Sequence, residues 1–324
     1  MIQPHVLVAD WHMADFEIEK AFLERNAVTW SMPASLASSR EEQIDQLLAR
    51  IKQAERIDGV LFVLAPLTAA VIAALPPFCK HLQRVGMGLD TVDIEAARAK
   101  GLTISNTPDY ATEEVAVHAM AMILSLHRQL DATQKYLLAG HWRITPPNPL
   151  FRLSTLSLGL VGLGRIGRKL AELMKPMVRK IYYCDPGEPS APEGVERTSF
   201  EELLQKSDIV SLHCPLTPGT RGLMNAATIG QMKKNALLIN VARGGLIDTN
   251  ALSDALTHSR LAGAGLDVYE PEILPSDSPL RTLENVILTS HTAWFSRNSV
   301  IDCRTQAMEQ LIAAIHVGES GAAA

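Results

Sequence analysis

At 324 residues the chain is long enough for two ordinary domains, since single hydrophobic cores stop growing near about 250 to 300 residues. Its 47% hydrophobic and 20% charged residues exclude the polar, highly charged bias of a disordered chain. A formal net charge of -5, with Lys and Arg scattered rather than clustered, argues against nucleic acid as a ligand and for a small molecule.

The first hundred residues alternate short apolar runs with helical stretches. Strands are expected at His5 to Asp10, Val28 to Met32, Val60 to Leu64, Leu82 to Gly86 and Leu102 to Ser105. Helices are expected between them at Phe16 to Arg25, Glu41 to Glu55, Thr68 to Ala74 and Ile94 to Lys100. Gly59 to Cys79 contains no charged residue and matches a membrane span in length, but Pro66, Pro76 and Pro77 interrupt it, and it divides into a strand and a short helix. Strands separated by helices imply a parallel sheet covered on both faces.

A longer helix is expected from about Glu113 to Leu138, with Thr112 as N-cap and apolar residues on more than one face, buried against another element or another subunit. Ile144-Thr-Pro-Pro-Asn-Pro149 breaks it. A second series then places strands at Leu156 to Val161, Lys180 to Cys184, Ile209 to His213, Ala236 to Val241, Ala262 to Val268 and Val286 to Thr289, with Ser199-Phe-Glu-Glu202 as a capping box. A final helix, Val300 to Ile315, is expected to return to the first domain, and a short Ala-rich segment follows it. The fold class is therefore α/β, with two doubly wound parallel sheets. Residues 1–104 with 297–324 form a substrate domain, and 105–296 a nucleotide-binding Rossmann domain.

Cys79, Cys184, Cys214 and Cys303 are far apart and form no CxxC pair, so they read as reduced thiols, with neither disulfides nor a metal site. Met1 to Asp10 lacks the features of a signal peptide, which places the protein in the cytoplasm, away from membranes.

Gly162-Leu-Gly164-Arg165-Ile166-Gly167 follows a strand and opens a helix. The first glycine permits the turn, the second lets a pyrophosphate approach, and the third allows close helix packing. Asp185 ends the next strand at the spacing of an acid that receives ribose hydroxyls. No Arg or Lys in 186–192 neutralises a 2′-phosphate, so NAD is favoured over NADP.

Three ionisable residues stand just after late strands: Arg243, Glu272 and His291. Oxidising an alcohol needs a base for its proton and the reverse reduction needs an acid, and histidine serves both near neutral pH. A carboxylate beside it fixes the ring, and a guanidinium binds a substrate carboxylate in a fork.

These residues resemble the D-isomer-specific 2-hydroxyacid dehydrogenases, which include D-lactate dehydrogenase, D-3-phosphoglycerate dehydrogenase, hydroxypyruvate reductase, formate dehydrogenase and the C-terminal-binding-protein corepressors. Val85-Gly-Met-Gly-Leu-Asp-Thr-Val-Asp93 is similar to the family's substrate-carboxylate loop, Asn106-Thr-Pro108 to its domain crossover, and His213-Cys-Pro-Leu-Thr-Pro-Gly-Thr220 to its cofactor loop. The resemblance makes Arg243, Glu272 and His291 the catalytic residues. It lines the cofactor with Cys214, Pro215, Thr220, Val241, Ala242 and Asp267, and gives Met87 and Gly88 as amide donors to the substrate. Cys214 has packing as its competing reading, and Asp267 a local cap. Glu270 rivals Glu272, but the family's acid stands five residues after the Asp. Val117 departs from a common Glu, and Ser290 from the Pro that usually precedes the histidine.

Glu272 speaks against formate dehydrogenase, and His291-Thr-Ala-Trp294 is closest to the lactate dehydrogenase and corepressor branches. Trp294 either walls the substrate pocket or packs in a core. The expected activity is hydride transfer between NAD and C2 of a small, unphosphorylated 2-hydroxy or 2-keto acid, in a cleft of a homodimeric enzyme. The lack of Arg or Lys in Leu64-Ala-Pro-Leu67 favours the unphosphorylated substrate, although Arg84 or Arg143 could reach in. The alternatives are an NADH-sensing, corepressor-like binding protein and a phosphoglycerate dehydrogenase-like enzyme.

Overall fold

The computed structural model describes residues 3–35, 37, 39–142, 150–187 and 190–320, with side chains as far as 316. Arg143, the breaker 144–149, residues 188 and 189 of the 186–192 segment, and the Ala-rich end lie outside the described residues. The chain forms two compact units, Met1–Tyr110 with Ser296–Ala324, and Ala111–Phe295.

The first unit is built on a five-stranded, all-parallel sheet in the order β2-β1-β3-β4-β5, from β1 (His5–Val8), β2 (Thr29–Ser31), β3 (Gly59–Phe62), β4 (His81–Arg84) and β5 (Thr103–Ser105). This is the flavodoxin-like order. Its helices start where side chains cap them: Thr68 accepts from the Val71 amide, and Asp93 from that of Ala96. Two apolar layers cover the sheet, one around Phe62, Leu67 and Ile72, the other around Leu61, Met308 and Leu311. The uncharged run Gly59 to Cys79 is thus a buried strand and a short helix, and among the described residues no helix is long and apolar enough to cross a membrane.

The last helix, α11 (Arg297–Ser320), belongs to this unit and packs on β4 and on α1 (Glu17–Arg25). An ion cluster fixes it. Arg304, 4% exposed, donates from Nε to Glu19 Oε1 at 2.8 Å and from Nη2 to Oε2 at 2.6 Å, and Nη2 also reaches Asp15 Oδ1 at 2.6 Å. The paired carboxylates hold the guanidinium well above its usual pKa.

The second unit holds a seven-stranded parallel sheet in the order β12-β11-β10-β9-β6-β7-β8. Its strands are β6 (Ser157–Val161), β7 (Lys180–Cys184), β8 (Val195–Arg197), β9 (Ile209–Leu212), β10 (Ala236–Asn240), β11 (Leu261–Leu266) and β12 (Val286–Leu288). The short edge strand β8 alternates too briefly for the sequence pattern to announce it. The central strands β6, β9 and β10 are buried throughout, as continuous apolar runs under helices on both faces require. Ser199 caps the helix after β8 by accepting from the Glu202 amide, but the Glu202 carboxylate turns to Thr198 and Lys206 and leaves the capping box half made.

The long helix expected from Glu113 to Leu138 is two helices, α5 (Thr112–Arg128) and α6 (Leu130–Leu138), divided at Gln129, whose φ is +52°. No glycine or proline marks that break. Thr112 is the first helical residue rather than the N-cap. What separates the two helices is packing: α5 lies on α7 (Arg165–Met174), β10 and β11, whereas α6 has no buried residue. On β11, a Cβ at Gly265 would lie 3.0 Å from Met122 Cβ and Sδ, and one at Gly263 2.8 Å from the Asn285 carbonyl and 3.1 Å from Leu126 Cδ2. The two glycines therefore seat α5 directly on the strand.

Glu19→Ala leaves the Arg304 guanidinium buried with only the exposed Asp15 beside it. The substitution is expected to cost about 3 kcal/mol in a urea denaturation series, against a near-neutral result if the cluster contributes nothing.

Candidate active site and cofactor loop

The sheet of the second unit reverses its strand order between β6 and β9, the position where open α/β sheets bind ligands. Gly162 follows β6 with φ +98°, and a Cβ there would stand 2.7 Å from the His213 carbonyl carbon and 2.8 Å from the Cys214 amide nitrogen. A Cβ on Gly167 would stand 2.4 Å from the Gly162 carbonyl oxygen, so turn and helix touch backbone to backbone. One on Gly164, the N-cap of α7, would meet nothing within 4 Å, so space is open above the first amides of the helix. Such a surface can receive a pyrophosphate, and the residues fit a dinucleotide.

Asp185, just past β7, accepts the Leu163 amide on Oδ2 and the Gly187 amide on Oδ1, both at 2.8 Å, and so ties the glycine loop to the next strand. Arg165 and Ile166 open α7. Arg165, Arg168, Lys169 and Lys175 line a groove of about 430 Å³ along that helix with Glu172 and Glu193. The structure also brings cations beside Asp185 that segment 186–192 lacks. Arg197 donates to the Asp185 carbonyl at 3.2 Å and Arg168 to that of Ser190 at 2.8 Å.

The loop after β9 faces the glycine turn. His213 Nε2 meets Ser211 Oγ at 2.8 Å, while Nδ1 is buried with no partner among the described residues, and burial pushes the imidazole from its ordinary 6.5 down to about 4. Cys214 is half-buried against the core, and burial pushes its thiol up to about 11. Thr220 Oγ1 donates to the Pro215 carbonyl at 2.7 Å and accepts the Thr217 amide at 2.8 Å, which closes the loop on itself.

Arg243, Glu272 and His291 follow β10, β11 and β12, which are neighbours in the sheet and parallel, so their carboxyl ends span about 10 Å. The 240–243 turn is closed by buried Asn240, whose Nδ2 donates to the Arg243 carbonyl at 2.8 Å and whose Oδ1 accepts the Ala242 amide at 3.0 Å. Val241 is buried in that turn and Ala242 packs against the core. A Cβ on Gly244 would fall 1.9 Å from the Tyr269 carbonyl carbon, so the loops after β10 and β11 touch through their backbones.

Glu272 Oε1 is in hydrogen-bond contact with His291 Nδ1. Glu270 instead pairs with Arg221 at 3.2 Å. His291 has φ +53°, a left-handed conformation that few side chains adopt. Asp267, fully buried, holds it there: its carbonyl accepts the His291 amide at 2.8 Å, Oδ1 the Thr292 amide at 2.9 Å, and Oδ2 the Ala293 amide at 3.0 Å. The Thr289 hydroxyl donates to Oδ1, and His118 Nε2 on α5 lies 3.0 Å from that hydroxyl. The Tyr269 hydroxyl lies 2.7 Å from the Thr289 carbonyl, and burial raises its pKa to about 12. Trp294 stacks edge-on against Phe295, their ring centroids 5.5 Å apart.

Met87 and Gly88 belong to the first unit, on the loop after β4. Asn106 Nδ2 takes the Met87 carbonyl at 2.8 Å and Arg84 Nε that of Gly88 at 2.9 Å, so Arg84 is spent on bracing this loop. The residues that sequence reasoning passed over are Asn240, Thr289, Tyr269 and His118. Their signal is a polar residue fully or partly buried beside a strand end, and it is visible only once the strands are paired.

Residues 120–293 match the family model described as D-isomer specific 2-hydroxyacid dehydrogenase, NAD binding domain. The chain belongs to this family. It is an NAD-dependent oxidoreductase acting on CH–OH groups. It is 38% identical over 283 residues to a glyoxylate reductase of Thermofilum pendens, covering 85% of this chain and 80% of that protein. It is 35% identical over 250 residues to D-3-phosphoglycerate dehydrogenase of Mycobacterium tuberculosis, covering 76% of this chain but 46% of that protein. A D-lactate dehydrogenase of Aquifex aeolicus, solved with NAD and lactic acid, superimposes with a TM-score of 0.82 at 25% identity, covering 98% of this chain and 96% of that one.

In this dehydrogenase the unfolded chain takes a proton on His213 near pH 6.5, and the folded chain only near 4. Stability present above pH 6.5 is therefore lost as pH falls towards 4. Between about pH 7.5 and 4.5, the unfolding free energy of His213→Phe from urea denaturation should fall by about 2 kcal/mol less than that of the wild type, and equal falls would show that this ring is not responsible.

Proposed function

We propose that this dehydrogenase interconverts a small, unphosphorylated 2-keto acid and its D-2-hydroxy acid, with His291 as the acid and base. The observation that carries this is the Glu272 to His291 contact at the end of adjacent strands, one strand from Arg243. A carboxylate on Nδ1 holds the proton there in the neutral ring and stabilises the imidazolium, which leaves Nε2 to exchange a proton with the substrate oxygen. Bound nicotinamide supplies or takes the hydride at C2. Arg243 forks the substrate carboxylate and draws electron density from the adjacent carbonyl, and the amides of Met87 and Gly88 are assigned to substrate binding. Gly162, Gly164, Arg165, Ile166, Gly167, Asp185, Cys214, Pro215, Thr220, Val241, Ala242 and Asp267 are assigned to the cofactor, and Trp294 to the substrate.

Leu64, 52% exposed at the end of β3 and without a cation in 64–67, supports a substrate lacking phosphate. The glyoxylate and lactic acid in the names of two relatives are of that kind, whereas the phosphoglycerate in the name of a third is not. Asp185 supports NAD over NADP by repelling a 2′-phosphate. The unpaired thiols of Cys79, Cys184, Cys214 and Cys303 support a reducing compartment, the cytoplasm. Helix α6 presents Leu130, Leu137 and Leu138, each more than half exposed, and we assign this face to a homodimer.

Assays with glyoxylate, pyruvate, hydroxypyruvate and 3-phosphohydroxypyruvate, each with NADH and NADPH, are expected to show turnover of an unphosphorylated acid with NADH. A preference for the phosphorylated acid would overturn the substrate reading. His291→Ala should lower kcat by about 100-fold or more while NADH still binds, and retained turnover would remove His291 from its role. Leu137→Glu with Leu138→Glu should halve the mass measured by light scattering. An unchanged mass would move the dimer interface elsewhere.

A further inference from the structure

Helix α5 is apolar where it meets the sheet, through Val115, Ala119, Met122 and Ile123, yet it places one imidazole at the catalytic end. The placement follows from a register match. Along β11 and just beyond it, Gly263, Gly265 and Asp267 alternate onto one face. Leu126 packs at Gly263, Met122 at Gly265, and His118 stands one helical turn before Met122. Four helix residues advance about 6 Å and two strand residues about 6.6 Å, so the next match sets His118 against Asp267. His118 Nε2 is 3.8 Å from Asp267 Oδ1 and 3.0 Å from Thr289 Oγ1.

The hydrogen bonds in this chain run in one direction. Asp267 receives the Thr292 and Ala293 amides and acts only as an acceptor, so the single hydroxyl proton of Thr289 goes to it. The bond between Thr289 Oγ1 and His118 Nε2 then has only the imidazole left to donate. His118 therefore carries its proton on Nε2 and fixes the Thr289 rotor, which in turn fixes the carboxylate that holds the 291–293 turn.

We propose that His118 is a positioning residue for the hydride-transfer reaction, acting through Thr289 and Asp267 on the turn that carries His291. This rests on the reading of His291 as the proton carrier. Without the His118 donor the Thr289 hydroxyl keeps its bond to Asp267 but loses the group that holds Oγ1 from the helix side, and the turn that keeps His291 at φ +53° is held less firmly. The alignment needed at the moment of reaction suffers more than binding of the ground state. A merely packing role would instead appear as lost stability.

The test uses the full chain with NADH and glyoxylate, or the fastest keto acid of the panel above, and measures kcat, KM, NADH affinity by fluorescence and thermal melting. His118→Phe keeps a ring on the helix but removes the donor, and is expected to lower kcat about tenfold with KM, NADH affinity and melting little changed. His118→Gln, whose side-chain N–H reaches the same place, should restore most of the rate. Combining His118→Phe with Thr289→Val should be no slower than the slower single variant, since both break one chain. An unchanged kcat in His118→Phe, a His118→Gln as slow as His118→Phe, additive losses in the double variant, or a melting loss that accounts for the rate would each overturn the proposal. His291→Ala runs alongside. If it keeps turnover, the reading of His291 fails; if it is inactive while His118→Phe is unaffected, only the role of His118 fails.

Discussion

The carboxylate of Asp267 is the fixed point of the sheet edge that carries Arg243, Glu272 and His291. It is fully buried, and an unpaired charge there would be costly, so the surrounding chain is obliged to bring donors to it. Those donors are the backbone amides of Thr292 and Ala293 and the hydroxyl of Thr289, while the Asp267 carbonyl takes the His291 amide. Four consecutive interactions on one residue bend the chain after β12 into a tight turn and hold His291 in a backbone conformation it would not adopt alone. Glu272 then needs only to reach Nδ1 from the loop after β11.

The same economy governs the cofactor edge. Gly162 and Gly167 make contact through bare backbone because a methyl group at either would collide, and Asp185 closes the arrangement by accepting the Leu163 amide. His213 backs the turn with a ring whose burial pushes its pKa down to about 4 and so favours the neutral form. The first amides of α7 face open space, the arrangement by which a helix start can receive a phosphate.

Helix α5 joins these features to the rest of the second unit. Its seat on β11 depends on two glycines, and the resulting close approach delivers both an apolar helix face to the sheet and His118 to Thr289. The break at Gln129 has the same origin. Up to that residue the helix is held by the sheet and by α7, and beyond it α6 has no buried side chain, so the chain is free to turn.

The alternation of apolar runs and helices, the spacing of the glycine motif and the acid at the end of β7 were legible from the amino acids, because each depends on local periodicity and on backbone chemistry that only glycine permits. Arg243, Glu272 and His291 were legible for a similar reason, as polar residues following apolar strands. The edge strand β8, the break at Gln129, the approach of Arg197 to Asp185 and the chain from His118 to Asp267 were not. Each of these depends on which strands lie side by side and on how closely a helix approaches them, a property of packing between distant segments that no local pattern encodes.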